Sequence, residues 1–455
     1  MIDETTALTR ADLRSVFTGA GRAGERIGVE VEAAALDPVT GLAVPYAGPG
    51  GVRDLLRTLL EHSGGEPVHD GPYLTGVRLG PDGPLVSLEL GGAVEYSSEP
   101  APDLVTLVET TRRDLATLAE LAARHGIALV PGGNLPFNGA DDATWVPKAR
   151  GEVMRRYYRR HGREHVAYAS MTLALSTQVT VDYLAPDEDP HDLCDKLRAL
   201  AAVGPVVRAL CANSPLERGE YTGVLSRRGQ LWGLADPDRS GLLPGALTAE
   251  PDLDGLLDWA LALPMIYRRR GDTSVAAPDL PFGALLRAAD PAQRAGLADW
   301  RAHLDQIWTD VRLRRTLELR GADGLTGDAL AALPALWTGL SYHPPTRAAA
   351  AALTAGWGPG THAAALRAAA HGLRGGYGRV RRGELAELAR ELVRLAGEGL
   401  AARVAAGRER PAALAYLDPL REIADTGVTL AERALRDWHG GWERKPERWV
   451  AHHRL

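Results

Sequence analysis

The segment RIGVEVEAAALD, residues 26–37, places two glutamates within an otherwise apolar run. Because side chains alternate across a β-strand, Glu30 and Glu32 would share one face, roughly 6–7 Å apart, while the apolar residues pack on the other face. One interpretation is an ordinary sheet with a single solvated face. The other is a cation between the two carboxylates, since like charges side by side are unfavourable. The remaining sequence has to decide between these interpretations.

The composition is that of an ordinary globular protein. Of the 455 residues 45% are apolar and 24% are charged, and the net charge is −6, which argues against disorder and against a basic surface for nucleic acid. No apolar run is long enough to span a bilayer, and the polar start MIDETTALTRADLR lacks the pattern of a signal peptide. We therefore expect a cytoplasmic protein that binds neither membrane nor nucleic acid. Its two cysteines, Cys194 and Cys211, exclude a disulfide framework or a four-cysteine zinc site.

Three further segments set polar residues into strand-like apolar patterns. These residues are Glu89 and Glu95 in LVSLELGGAVEYSSEP (residues 85–100), Gln178 and Thr180 in LALSTQVTVDYL (residues 173–184), and Glu318 and Arg320 in VRLRRTLELRGAD (residues 311–323). The paired glycines Gly91 and Gly92 indicate a bulge or a close approach of another backbone. Together with Glu30 and Glu32, the segments supply five glutamates and a glutamine. Oxygen donors of this kind are the ligands that Mg²⁺ prefers, and a magnesium–nucleotide complex would relieve the repulsion between them.

An arginine-rich segment, LSRRGQLWGLADPDRSGLLPG (residues 225–245), could supply the complementary charge. Its glycines and prolines predict a surface loop. Guanidinium groups such as those of Arg228 and Arg239, beside a metal site, could bind a substrate carboxylate through paired hydrogen bonds. The sequence contains no G-x-x-x-x-G-K-[ST] phosphate loop, H-E-x-x-H zinc motif or G-x-S-x-G nucleophile elbow.

Helical periodicity is found in three segments between the strand-like stretches and throughout the C-terminal region. The three segments are residues 51–64, 102–126 and 149–170. Gly126 is the predicted C-terminal cap of the second helix. From about residue 360 the chain is rich in Ala, Arg, Leu and Glu at helical spacing. We therefore predict a catalytic domain over residues 1–360 and a helical subregion over residues 361–455 that packs on it.

Seven motifs occur in an order that resembles the glutamate–cysteine ligase family, in the branch with plant enzymes and the actinobacterial ligase of ergothioneine biosynthesis. They are IGVEVE, LELGGAVEYSS, WVPKARGEVMRRYY, STQVTVD, RRGQLWGLADPDRSG, IWTDVRLRRTLELRGAD and LPALWTGL, within residues 26–345. The resemblance implies an α+β fold of the glutamine-synthetase type: a curved, mostly antiparallel sheet whose concave polar face forms a funnel, with helices on the outer face. It also implies a ligase that phosphorylates the γ-carboxylate of glutamate with ATP and transfers the acyl group to an amine.

The resemblance further implies roles for individual residues. The metal ligands for Mg²⁺ (or Mn²⁺) would be Glu30, Glu32, Glu89, Glu95, Glu318 and Gln178, the substrate-binding residues Arg228, Arg239, Trp232, Gln178 and Thr180, and the groups on the ATP phosphates Lys148, Arg150 and Arg320. Glu30, Glu318 and Arg228 would take part in catalysis. The implied partners are small molecules, namely glutamate, an amino acid amine and ATP, and the oligomeric state is not implied.

Three positions depart from the usual family pattern. Thr180 stands where the family usually has asparagine, Gly151 where an aromatic residue is common, and Ala235 where a hydroxyl residue is frequent. These departures leave the glutamates intact and bear on the accepting amine. Cysteine is the acceptor that the resemblance favours. A different, non-standard amino acid in a specialised pathway is the alternative, and a non-catalytic ligand-binding relative is a third hypothesis.

Overall fold

The computed structural model describes residues 8–18, 24–183, 190–247 and 253–455. Two predictions fall partly outside these residues. The prediction about the start of the chain includes residues 1–7, and the strand predicted within residues 173–184 includes Leu184. Along the described residues, no helix has the length and apolar character needed to cross a membrane.

The central element is strand β1 (Ile27–Leu36), which forms as the alternating pattern predicts. The other strands of the described chain are β2 (Glu66–Asp70), β3 (Tyr73–Arg78), β4 (Leu85–Leu88), β5 (Val94–Ser97), β6 (Ala128–Pro131), β7 (Thr177–Val181), β8 (Leu216–Glu217), β9 (Glu220–Tyr221), β10 (Ser240–Gly241), β11 (Tyr267–Arg270), β12 (Thr273–Ala276), β13 (Trp308–Thr309), β14 (Val311–Leu313) and β15 (Leu317–Leu319). Nine of them form one sheet in the order β14-β15-β7-β1-β5-β4-β3-β2, with β6 also paired to β1.

Helices surround this sheet. In chain order they are α1 (Arg10–Thr18), α2 (Val52–Ser63), α3 (Leu104–Ala123), α4 (Ala149–Arg160), α5 (Glu164–Thr172), α6 (Pro190–Ala202), α7 (Gly204–Leu210), α8 (Arg227–Ala235), α9 (Leu253–Ala262), α10 (Phe282–Leu286), α11 (Leu297–Leu304), α12 (Ala332–Ser341), α13 (Pro344–Ala352), α14 (Pro359–Ala369), α15 (Glu384–Ala405), α16 (Asp418–Thr426), α17 (Leu430–His439) and α18 (Pro446–His453). Three 3₁₀ helices cover Ala140–Asp142, Gly327–Ala331 and Pro411–Leu417.

Every pairing within the nine-stranded sheet is antiparallel. Its apolar face packs on helices α3 and α12, where Ile27, Val29 and Val31 are at most 3% exposed. Full burial of such side chains contributes about 1.5–3 kcal/mol each. This packing fixes the register, because a slip of one residue would turn the two glutamates of β1 into the core. The predicted α+β fold, with a mostly antiparallel sheet and helices on its outer face, is confirmed.

The C-terminal helices pack onto the same core as the sheet. Helix α15 crosses the fully buried helix α12 at two glycines, and a Cβ added at Gly339 would lie 2.1 Å from the carbonyl oxygen of Ala396. A Cβ at Gly399 would lie 1.9 Å from the carbonyl oxygen of Gly339. Helix α14 spans the predicted boundary at residue 360, so the division into two regions stays a prediction.

Two predictions of local structure are wrong. Residues 149–170 were expected to form one helix, but they form α4 and α5, which are separated at Gly162 with φ +67°. The arginine-rich segment was expected to be a surface loop, but much of it forms helix α8. The hydroxyl of Ser226 caps this helix by accepting a hydrogen bond from the Gly229 N–H at 3.1 Å. Glycines that suggest turns in the sequence here permit close packing, since a Cβ at Gly229 would meet the Arg208 Cδ at 3.0 Å.

The crossing of α12 and α15 yields a prediction about stability. Gly339→Ala should lower the free energy of unfolding by about 2–3 kcal/mol, because the new methyl group forces two packed backbones apart. Urea unfolding followed by circular dichroism measures the change. Gly356→Ala is the matched control, because its Cβ would meet no atom within 4 Å. Equal unfolding midpoints for the two variants would contradict the close approach.

Candidate active site

The polar face of the sheet carries the candidate residues in rows across neighbouring strands. Glu32 on β1 lies directly opposite Glu95 on β5. Two pairs further along, on the same face, Glu30 lies between Ser97 on β5 and Gln178 on β7. Like charges directly opposite each other in a sheet are destabilising. The fold therefore holds carboxylates together that would repel one another if both were ionised.

A cavity of about 360 Å³ opens on this polar face. The predicted site residues that line it are Glu30, Glu32, Glu89, Glu95, Gln178, Arg150, Arg228, Trp232 and Arg320. These residues come from strands β1, β5, β7 and the ends of β4 and β15, and from helices α4 and α8. The structure thus brings most of the predicted site, spread over the sequence, to one place.

The position of Glu89 depends on the glycines that follow it. A Cβ added at Gly91 would lie 1.9 Å from the carbonyl oxygen of Thr172, so the predicted close approach of a backbone is confirmed. Gly92 has φ +84°, which favours glycine. The tight turn between β4 and β5 places Glu89 and Glu95 on the same cavity.

Burial and mutual repulsion raise the pKa of three carboxylates in the cavity. Burial, with the charges of Glu95 and Glu89, raises the pKa of Glu32 to about 8. Burial, with the charges of Glu318 and Glu95, raises the pKa of Glu30 well above its usual range. The pKa of Glu95 is also raised, by burial and by Glu89. A bound cation would stabilise the ionised forms of these three carboxylates, which the neighbouring protein groups do not fully stabilise.

Glu318 has the opposite environment. Its carboxylate is 2% exposed and is held by Arg312, with Nε–Oε2 at 2.5 Å and Nη2–Oε1 at 2.9 Å, and by Arg320 at 3.0 Å. Although burial opposes ionisation, these guanidinium groups lower its pKa. Arg312 lies directly across from Glu318 on the β14–β15 hairpin. Glu318 does not line the main cavity, so the metal and catalytic roles predicted for it stay predictions, and in this structure it holds the arginines in place.

Glu89 is likewise paired with an arginine. Arg150 donates to its carboxylate at 3.0 Å, and despite burial this pair, with Lys148 nearby, lowers the pKa of Glu89. Lys148 does not line the cavity; its ammonium group donates to the carbonyl oxygen of Leu88, and burial and Arg150 lower its pKa to about 8. Arg150 is therefore placed to contact a substrate, whereas Lys148 supports the strand behind it.

Helix α8 presents Arg228 and Trp232 to the cavity from one face, four residues apart. The Arg228 guanidinium is 5% exposed and donates to the carbonyl oxygen of Arg320 at 2.7 Å. Burial lowers the pKa of Arg228 to about 10, opposed by the charge of Asp323. Asp323 in turn accepts a hydrogen bond from the hydroxyl of Ser226, the residue that caps the helix, at 2.7 Å.

Arg239 was predicted to bind substrate, but the structure places it in the protein interior. It is 1% exposed, forms an ion pair with Asp236 at 2.9 Å and donates to the hydroxyl of Tyr157 at 3.2 Å. Its guanidinium lies 6.0 Å from the ring centroid of Trp308, which does line the cavity. This placement favours a role in positioning the cavity wall.

Thr180 lines a small side cavity of about 150 Å³, called the annex below, which adjoins the main cavity. On the sheet it lies between Glu318 on β15 and Gly28 on β1. Glu30 and Ser97 line both cavities, so the smaller one adjoins the acidic end of the larger. The substrate contact predicted for Thr180 requires that part of a substrate enter this annex.

The sequence reasoning missed several residues of the cavity. They are Met154, Met171, Tyr267, Arg269, Asp305, Trp308, Arg312 and Arg314. Met154, Met171 and Tyr267 form an apolar end with the indole pair Trp232–Trp308, whose ring centroids are 5.8 Å apart. The one available signal was the position of Arg312 and Arg314 in the same segment as Glu318, residues 311–323.

A magnesium site is implied by the family, and the donor set fits one. In the described part of the chain, no group of three or more His, Cys, Asp or Glu side chains is arranged to hold a metal ion as it stands. The chemistry of the cavity nevertheless suits a hard cation, because the carboxylates of Glu30, Glu32, Glu89 and Glu95 line it. Burial and the neighbouring carboxylates raise the pKa of Glu32 and Glu95, so a bound cation would favour their ionised forms.

Comparison with known proteins gives the family. The sequence profile of glutamate-cysteine ligase family 2 (GCS2) matches residues 26–450. The chain is 31% identical over 440 residues to the chloroplastic glutamate–cysteine ligase of Solanum lycopersicum, with 96% of this chain and 80% of that protein covered. It is also 31% identical over 443 residues to the chloroplastic enzyme of Arabidopsis thaliana, with 96% and 81% covered. The chain therefore belongs to glutamate–cysteine ligase family 2.

A solved structure supports the fold. The glutamate–cysteine ligase (gshA) of Francisella tularensis in complex with AMP matches with a TM-score of 0.54 at 11% identity, with 95% of this chain and 88% of that chain covered. The resemblance inferred from the seven motifs is thus confirmed at the level of family and fold. The cytoplasmic location expected from the sequence stays a prediction.

The two kinds of carboxylate predict opposite effects of the same substitution. Without divalent cations and at mildly alkaline pH, Glu32→Gln should leave the free energy of unfolding unchanged or raise it, because it removes a buried charge that Glu95 opposes. Glu318→Gln should lower it by about 3 kcal/mol, because two buried guanidiniums lose their carboxylate. Urea unfolding of both variants measures the difference. Equal destabilisation by the two substitutions would contradict this assignment of charges.

Proposed function

We propose that this protein is an ATP-dependent glutamate–cysteine ligase and that the cavity on the polar face of the sheet is its active site. The proposal rests on one observation: in this member of the family, guanidinium groups line the same cavity as carboxylates without an ion-pair partner among the described residues. ATP, glutamate and an amino acid amine are the substrates. The carboxylates suit the phosphate-bearing end of a magnesium–nucleotide complex, and the guanidiniums suit the negatively charged oxygens of both substrates.

In the first step, a γ-carboxylate oxygen of glutamate attacks the γ-phosphorus of ATP, and ADP leaves. Arg228 and Arg320 are the groups that we assign to the oxygens of glutamate and of the transferred phosphate. They are held in place by the hydrogen bond from Arg228 to the Arg320 carbonyl and by the contacts of Arg320 with Gln178 and Glu318. Such fixed groups need no reorganisation as negative charge develops.

Mg²⁺, or Mn²⁺, would be held by Glu30, Glu32, Glu89 and Glu95, and when bound it offsets phosphate charge during the transfer. Gln178 is a weaker ligand in this structure because its amide oxygen accepts from Arg320 at 2.5 Å while its amide nitrogen donates to Glu32 at 3.2 Å. Gln178 thereby fixes the orientation of Glu32. Arg150 is the group that we assign to the ATP phosphates from the other side of the cavity.

In the second step, the amine of the acceptor attacks the acyl carbon and phosphate leaves with the pair of electrons of the broken C–O bond. The apolar end of the cavity supports cysteine as the acceptor. A thiol side chain packs well against methionine and aromatic groups, which here are Met154, Met171, Trp232 and Trp308. The acidic end and the apolar end thus suit the phosphoryl group and the acceptor side chain, respectively.

A ligation assay tests the proposal. The protein is incubated with ATP, Mg²⁺, glutamate and cysteine, and γ-glutamylcysteine and ADP are measured by mass spectrometry; equal amounts of both products are expected. Glu30→Gln should lower kcat by at least about 100-fold, because it removes a carboxylate from the metal. Glu152→Gln, on the exposed face of α4, is the matched control and should keep the wild-type rate.

Absence of dipeptide and of ADP with every amino acid tried would contradict a ligase. Near-normal turnover of Glu30→Gln would remove this glutamate from the metal site.

The annex around Thr180 motivates the second candidate, a ligase for a different amine. Its polar lining includes Ser98, Asp182 and Thr316, which suits a polar group more than a thiol. Thr180→Asn should change the ratio of kcat/KM for cysteine to that for other amines if an acceptor reaches the annex. Thr117→Asn, on the outer helix α3, controls for the substitution itself. An unchanged acceptor preference would exclude the annex from the acceptor site.

A further inference from the structure

A second large cavity, of about 830 Å³, lies behind helix α8 and away from the acidic face of the sheet. Its walls come from α8, from residues 237–247 and from α14, and it also borders Tyr377. The volume falls within the range of about 300–1,000 Å³ that is typical of small-molecule sites. None of the residues assigned to ligation above lines it.

Helix α8 is shared between the two cavities. Its residues Arg228 and Trp232 line the main cavity, whereas Gly229, Gly233 and Leu234 line the second. Residues four apart lie on the same face of a helix, so the helix presents one face to each cavity. Leu234 is 58% exposed although it is a large apolar residue, because the second cavity leaves its side chain uncovered.

The chemistry of the second cavity differs from that of the active site. Its lining is largely apolar and contains no aspartate or glutamate. The Arg367 guanidinium lies 4.5 Å from the ring centroid of Tyr377 at the cavity edge, and within the described residues no carboxylate forms an ion pair with it. Positive charge therefore remains available at one edge of an apolar space.

A buried polar group gives a second, independent observation. Ser240 lines the cavity, is 8% exposed, and its hydroxyl has no hydrogen-bond partner among the described residues. Buried hydroxyl groups in native proteins normally have a partner. Arg208, also in the wall, is by contrast paired with Asp310 at 2.6 Å and closes the cavity on the side of the sheet.

We propose that this cavity is a binding site for a small amphipathic anion, a molecule with an apolar body and one negatively charged group. The apolar body would fill the space between α8 and α14, and the anionic group would contact Arg367. Rotation of the Ser240 side chain would bring its buried hydroxyl to a polar atom of the ligand. Because α8 also carries Arg228 and Trp232, an occupant would act on substrate binding in the main cavity. This last step rests on the proposed function, whereas the binding site does not.

Binding is tested with 8-anilinonaphthalene-1-sulfonate, an apolar fluorophore with a single anionic group, added to the full-length protein with excess ATP and Mg²⁺. We expect saturable fluorescence enhancement with one site per chain. Arg367→Gln should weaken binding by about tenfold, the effect of losing one charge-assisted hydrogen bond. Leu366→Trp should narrow the space between α8 and α14 and weaken binding by at least about tenfold. Arg390→Gln and Leu280→Trp, at exposed positions elsewhere, are the matched controls.

Equal binding by all four variants and the wild type, or no saturable binding, would overturn the site. Sedimentation tests whether a second copy of the chain covers this face instead. A wild-type dimer that Leu234→Ser dissociates would show that it does, and would also overturn the proposal. The far-ultraviolet circular dichroism of each variant establishes that it folds.

The effect on ligation is measured separately, as the KM for glutamate with and without the fluorophore. A change of at least threefold that is absent in Leu366→Trp supports transmission through α8, and an unchanged KM contradicts it. Failure of the proposed function appears as a missing ligation product, whereas failure of this site appears as missing variant-sensitive fluorescence. The two outcomes are therefore distinguishable.

Discussion

Repulsion between buried carboxylates is the constraint on which the active site depends. Glu32 and Glu95 are direct cross-strand partners on the polar face of the sheet, and Glu30 is the next residue of β1 on that face, two positions away. The fold can hold them together because the opposite face of β1 is packed into the core, which fixes the register. The free energy gained by burying the apolar face thus offsets the repulsion between carboxylates on the polar face, as is common at functional sites.

The arginines are distributed unequally over these carboxylates. Glu318 and Glu89 each have a guanidinium partner within 3.0 Å, whereas the pKa values of Glu30, Glu32 and Glu95 are raised. The paired carboxylates hold guanidiniums in position, and the others lack compensating charge. The Mg²⁺ ion of a magnesium–nucleotide complex would supply that charge, and Arg320 and Arg150 would contact the phosphate oxygens.

The sequence predicted the strands that carry the acidic face, β1, β4, β5, β7 and β15, because their patterns alternate within short segments. It did not predict helix α8, since Gly229 and Gly233 are typical of turns, and only the tertiary packing of Gly229 against Arg208 explains a glycine at that position. Nor could it separate Arg239 from Arg228: both are arginines of one segment, and only tertiary contacts place one in the interior and the other on the cavity. The partner of Glu318, Arg312, depends on the register of a hairpin.

The central claim is that the unpaired carboxylates hold a metal that the nucleotide brings to them. Crystals grown with a non-hydrolysable ATP analogue and Mn²⁺, measured on both sides of the manganese absorption edge, test this most directly. The account predicts anomalous peaks next to the carboxylates of Glu30, Glu32 and Glu95 and next to phosphate oxygens. Peaks that contact phosphate alone, with these glutamates bonded only to protein groups, would contradict it.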